Sequence, residues 1–382
     1  MPLPGTSQVA CTVLPTRVLA GRADRDDHHL RAAVSTVALS GRSRLRLSVL
    51  LGAIGLAVLS MVAGLLVGPV KLPATGVLQE LAHHLPFVSI GHGLPPTDAL
   101  ILDQLRLPRV VLGLMVGGML GLAGCAYQGV FRNPLADPYL LGSAAGAGFG
   151  ATSAIALGAH GAIGPVDSLP LAAFAGALVA VAATYVLGRS AGEGAGVLVL
   201  AGVTVSAFFT ALQTFVQQHS VQNLQEIYSF ILGGIATASW HDVALASPYV
   251  VVAVIVVLVH ARVLDVLALG DTEAASLGIN VRRTRLIVVI AATVGTAAVV
   301  SVSGLIGFVG IIVPHCVRLV LRTGSMRVLL PLSLVLGGAF LVLCDLAART
   351  VESPAELPIG IITAFLGAPF FAVVLRSARR IV

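Results

Sequence analysis

Runs of about twenty residues with almost no charge, such as 47–70 and 243–261, limit what this chain can fold into more than any other feature. As a helix, such a run covers roughly 30 Å of hydrocarbon. Every backbone N–H and C=O must find an internal partner in that medium, which leaves helices or a closed barrel. A barrel needs repeated alternating segments of about ten residues, and the chain has none. Charged residues make up only 10% of it and the mean hydropathy is +0.98, where a soluble domain carries about 25% charge. The fold class is therefore all-α, a polytopic membrane protein.

Polar punctuation divides the apolar sequence into about ten expected helices, at 47–69, 109–130, 139–159, 169–188, 197–218, 243–263, 285–303, 306–321, 328–348 and 359–376. Glycine is abundant, as suits helices that pack closely in lipid, and Gly142, Gly146 and Gly150 repeat along one face. Cys125, Cys316 and Cys344 lie in apolar segments and read as small buried hydrophobes, and Cys11 adds no disulfide framework. Residues 1–46 form an Arg-rich extension, expected to be disordered, and 47–382 form the membrane domain. The extension is too long for the n-region of a cleaved signal, and no function is assigned to it.

With the extension inside, all basic residues except Lys71, Arg106, Arg109 and Arg349 fall in inward segments, so both termini are expected in the cytoplasm. The net charge of +6 therefore reads as topology, and no nucleic-acid partner is expected. The longest outward loop, 71–108, holds a short amphipathic turn or helix at 76–85. His83, His84 and His92 read as solvent-facing loop residues, since adjacent positions point to different faces; no metal site and no cofactor are expected.

Three blocks interrupt the apolar helices: Gln128 to Pro138, Leu269 to Gly278, and Pro354 to Gly360. Irregular, polar stretches survive only at membrane edges or around a cavity, so the working parts belong there. In the inward loop 264–284, Asp271 and Glu273 suit a helix start and Gly278 its end, followed by a basic segment through Arg282, Arg283 and Arg285. A plain solvated loop is the competing reading. Ser206, Thr210, Gln213, Thr214 and Gln217 make one polar stripe on an apolar span. Such a stripe either faces a water-filled path or bonds neighbouring helices. His315, after Pro314, reads as a structural histidine near a kink.

These blocks run in an order that resembles the permease family of ABC importers for iron-siderophore, haem and cobalamin. The matching residues are Arg106-Leu107-Pro108-Arg109, Asn133 to Pro138 with Leu141-Gly142, Leu269 to Gly278, Gly304 to Gly310 with Pro314-His315, and Glu356 to Gly360 with Gly367 to Phe371. They extend over about 47–382.

The resemblance implies ten helices per subunit and a dimer of permease subunits around a central path. Two ABC ATPase subunits would sit inside and a substrate-binding protein outside, in a bacterial plasma membrane. It implies that Asp271, Glu273, Ala274, Ala275 and Gly278 couple to the ATPase, and that Arg106, Arg109 and Arg349 dock the binding protein. Asn133, Pro134 and Leu135 match a cytoplasmic gate. A second gate is doubtful, because Gly194-Ala195-Gly196 stands where relatives can carry hydroxyl residues. The family's use of the polar-stripe helix favours path lining. Ferric siderophore is the first expected cargo, with cobalamin or haem as alternatives.

Two rival classes are an ion-coupled secondary transporter and a membrane scaffold. The only lysine is Lys71, between Val70 and Leu72, so no P-loop exists in this chain and any ATP is hydrolysed by a partner. No enzymatic activity or catalytic residue is expected. Secondary transporters usually mark their coupling site with intramembrane carboxylates. Here the acidic residues lie at helix ends or in loops, Asp345 being the nearest exception.

Overall fold

The computed structural model describes residues 45–83, 93–159, 161–163, 166–192 and 195–378. The chain opens with α1 (Leu47–Leu66), α2 (Ala74–His83) and α3 (Pro96–Ile101), which continues through a π turn (Leu102–Arg106) into α4 (Leu107–Phe131). A 3-10 turn (Pro138–Leu141) leads into α5 (Ser143–Ala156), and a hairpin pairs Ala162 with Asp167 and Ile163 with Val166. Then come α6 (Ser168–Ala191), α7 (Ala195–His219), α8 (Leu224–Leu232), α9 (Trp240–Val259) and α10 (Ala261–Leu267). The chain closes with α11 (Asp271–Ser276), α12 (Val281–Ser303), α13 (Val309–Leu321), α14 (Met326–Ala348) and α15 (Ile359–Ala378).

Every expected span is matched by a helix. Among the described residues, seven helices are long and apolar enough to cross a membrane. The shorter α5, α13 and α15 answer the remaining expected spans. The amphipathic segment in the outward loop is α2, whereas α3 and α8 stand where the sequence reading had loops. Each is too short for a periodic pattern to stand out. Of the loop histidines, His84 and His92 lie outside the described residues, and His83 ends α2.

Helix α4 is the central post, buried along nearly its whole length. It packs on α14 through backbone: a Cβ at Gly117 would stand 2.3 Å from Gly337 O, and one at Gly337 2.4 Å from Gly117 O. Small residues let the two helices touch this closely, where lipid offers no hydrophobic drive to association. Helices α5 and α6 meet the same way, Gly146 against Gly176 and Gly150 against Ala172. Gly142, the third glycine of that repeat, instead takes φ 85° and begins α5.

Two irregular segments, 132–142 and 304–308, enter the bundle from opposite ends and meet. The Tyr139 hydroxyl donates to Ile306 O at 2.9 Å and accepts from Ile306 N at 3.1 Å. Gln128 Nε2 donates to Gly310 O at 3.0 Å, Leu305 N to Phe230 O at 3.2 Å and Gly234 N to Ser303 O at 2.8 Å. Side chains and distant carbonyls thus supply the partners that a continuous helix would have provided, which is what lets these breaks exist inside the bundle.

Candidate functional site

At one end of the bundle, the three arginines of the expected docking set converge, and all are turned inward. Arg106 Nη1 donates to Leu65 O at 2.6 Å and to Leu66 O at 3.2 Å, and its Nη2 donates to Val70 O. Arg349 Nη2 donates to Gly64 O at 2.8 Å. Both therefore satisfy orphan carbonyls at the C-terminus of α1, where positive charge also complements the helix dipole.

Arg109 forks between two carboxylates. Its Nη2 donates to Asp345 Oδ1 at 2.8 Å and to Glu356 Oε2 at 2.9 Å, with Nε and Nη1 adding further bonds to the same pair. Asp345 also lies 3.3 Å from Arg349, an i,i+4 pair. That pair is not a surface contact, since Asp345 is 1% exposed and Arg349 3%. Burial pulls the Arg349 guanidinium below its ordinary value while Asp345 pulls it back up. Glu356, exposed, is the member nearest solvent.

At the opposite end, Asp265 of α10 caps α14. Its Oδ2 accepts from Ser325 Oγ at 3.0 Å and from Arg327 Nε at 2.8 Å, and Oδ1 accepts from Met326 N at 2.5 Å. Beyond it, Gly270 turns the chain into α11. Asp271 and Glu273 occupy the first turn, as the helix dipole favours. Ile279 N bonds to Ala274 O at 3.1 Å and Gly278 N to Ala275 O at 2.9 Å, with Gly278 at φ 79°. These paired bonds end the helix in a Schellman motif, the glycine stop read from sequence. Asn280 Oδ1 then accepts from Arg283 N and starts α12.

Only Ala274 of α11 is buried; Asp271, Glu273, Ala275 and Gly278 all face solvent. Leu269 and Leu277 stand exposed beside them.

Next to it lies the Asn133-Pro134-Leu135 turn. Asn133 Oδ1 accepts from Leu135 N at 2.9 Å, Ala136 N donates to Asn133 O at 3.0 Å, and Asp137 caps the 3-10 turn through Tyr139 N. All three turn residues are exposed.

The polar stripe of α7 divides. Gln213 is buried against Gly148 of α5, and Ser206 lies half-buried beside Gly142. Thr210 and Thr214 are exposed, Thr214 Oγ1 donating back to Thr210 O at 2.9 Å, and Gln217 is half-buried. One edge of the stripe thus packs on a neighbouring helix while the other stays open. Gly194 lies outside the described residues, and Ala195 begins α7.

The sequence reading missed Arg132, Gln128, Tyr139 and Asp265. Gln128 is a polar side chain on an otherwise apolar span, which was a usable signal. Asp265 carried none, because its partners are 60 or more positions away.

Comparison with known proteins follows the same blocks. The FecCD transport family matches residues 48–377. The cobalamin import system permease protein BtuC of Halobacterium salinarum is 44% identical over 286 residues, 75% of this chain and 76% of that protein. The Fe(3+) dicitrate transport system permease protein FecD of Escherichia coli is 36% identical over 271 residues, 71% and 83% of the two chains. A solved structure of a metal-chelate type ABC transporter in an inward-facing conformation superposes with a TM-score of 0.75 at 29% identity, covering 86% of this chain and 99% of that one. With the family model matching residues 48–377 and relatives of this identity covering most of its length, the chain belongs to the FecCD transport family.

Proposed function

We propose that the chain is the transmembrane subunit of a binding-protein-dependent ABC importer. It pairs with a second permease subunit, same or homologous, and two ATPase subunits grip α11 from the cytoplasm. The observation that carries this reading is the geometry of α11, a helix of which only Ala274 is buried, tied at Asp271 to Arg132 and Arg285 and otherwise open to a partner. ATP binding in the partner shifts α11, the helices around Asn133, Pro134 and Leu135 tilt, and a central cavity with Thr210 and Thr214 on its wall alternates its access. No covalent chemistry occurs in this chain.

The opposite end faces the substrate-binding protein. Arg106 and Arg349 hold that surface together from within, and Arg109 with Glu356 forms the rim that a docked protein meets. The membrane is the plasma membrane, with both chain termini cytoplasmic and residues 1–46 a separate extension.

The cargo is a bulky metal chelate, ferric siderophore first. Cobalamin is the second reading, favoured by the relative named for cobalamin import at 44% identity. Competition of labelled ferric chelate uptake by excess cobalamin decides between them.

The assembly is tested by pull-down in mild detergent. A Walker-motif ATPase should co-purify with wild type and be lost from the Glu273→Arg, Gly278→Pro double variant. A dimeric chain that brings down no ATPase would favour ion-coupled transport instead.

A further inference from the structure

Arg132 ends α4 at φ 51°, in the left-handed region, and its amide and that of Asn133 both donate to Gln128 O. Glycine fits such a position with less strain, so the backbone gains nothing from a side chain there. The side chain does reach a partner: Nη2 lies 2.9 Å from Asp271 Oδ1, the first residue of α11. Asp271 also takes Arg285 Nη2 at 3.1 Å, at the start of α12.

The residue after Arg132 is Asn133, whose side chain closes the Asn133–Leu135 turn onto Leu135 N. Past the turn the chain is tethered to the bundle interior, through Tyr139 on Ile306 and Pro138 packed on Gly310. Gln128, one helical turn before Arg132, is itself bonded to Gly310 O and to Arg318. One side of the turn is therefore anchored in the bundle and the other is tied to α11. Helix α10 cannot take up a displacement of α11 freely, because Asp265 fastens it to the start of α14. Motion of α11 relative to α10 falls on the two arginines that hold Asp271, and only Arg132 leads directly into the turn.

We propose that the Arg132–Asp271 ion pair carries the displacement of α11 into the Asn133–Leu135 turn, which makes Arg132 a positioning residue for opening. This rests on α11 being the ATPase contact. The pair is exposed at 42% and 46%, so it adds little to stability, and its removal should be felt in motion and not in folding.

The test uses the complete importer complex in proteoliposomes. Arg132→Gly keeps the left-handed cap and deletes only the side chain. It should leave ATPase association and thermal unfolding unchanged while the substrate moved per ATP hydrolysed falls about five-fold or more. Arg132→Lys should restore most of the loss. Asp271→Asn breaks the same pair from the other side and should lower the same ratio.

Wild-type substrate-to-ATP ratios in Arg132→Gly, with ATPase bound, would overturn the proposal. So would an Arg132→Gly complex that no longer assembles. If wild type itself binds no ATPase, the α11 reading fails first, and the pull-down identifies that failure separately.

Discussion

Asp345 illustrates how a residue's surroundings change its worth. Read from spacing, its pairing with Arg349 is an i,i+4 contact of tenths of a kcal/mol. In the fold it is buried between Arg109 and Arg349, and those guanidiniums also serve Gly64 O and Glu356. Removing one member of a buried ion cluster strands the others. Asp345→Ala should therefore cost about 3–5 kcal/mol, read as a lowered midpoint of thermal unfolding in detergent. Glu356→Gln, at the rim, should cost under about 1 kcal/mol. Arg349→Glu puts a third carboxylate beside Asp345 and Glu356 and exposes the end of α1. Its first effect should be poor accumulation of folded protein, measured by size-exclusion recovery, so that variant reports on the fold before it reports on docking. The sequence showed these arginines to lie at one end of the bundle. It could not show that they face inward, because their carbonyl partners on α1 are 40 and 41 residues from Arg106 and 285 from Arg349.

At the scale of elements, the helices hold one another by close backbone approach. Gly124 is among the tightest cases, since a Cβ there would fall 2.1 Å from Gly310 O, at the point where α4 supports the start of α13. Gly124→Val should push α13 away, break the Gln128 bond to Gly310 O and lower the unfolding temperature. Gly52→Ala on α1, with nothing within 4 Å, is the control and should leave it unchanged. The long spans were legible because twenty apolar residues have few alternatives in lipid. The Gly146 and Gly150 face was legible from four-residue spacing, and the α11 stop from Gly278. Helices α3 and α8 were not, and neither was the division of the α7 stripe: Gln213 and Thr214 lie at its two edges, and only the packing of α5 buries the first and leaves the second open.

At the scale of the whole molecule, the proposed importer reading puts the energy source in a partner subunit. The sequence carries no P-loop, and the deeply buried carboxylate of Asp345 is held by two arginines, Arg109 and Arg349. Uptake into proteoliposomes should persist in the presence of a proton ionophore and stop when the partner ATPase carries a substitution in its Walker lysine. The reverse pattern would return the chain to the ion-coupled class. Composition and hydropathy by themselves determined the class, the spans and the ends of α11, because burial in lipid and helix capping act over a few residues and leave local marks. The tertiary structure alone decided what the polar residues touch. The inward turn of the arginines, the meeting of Tyr139 with Ile306 and the tie from Arg132 to Asp271 each join residues more than a hundred positions apart or across a loop, and distance along the chain carries no trace of them.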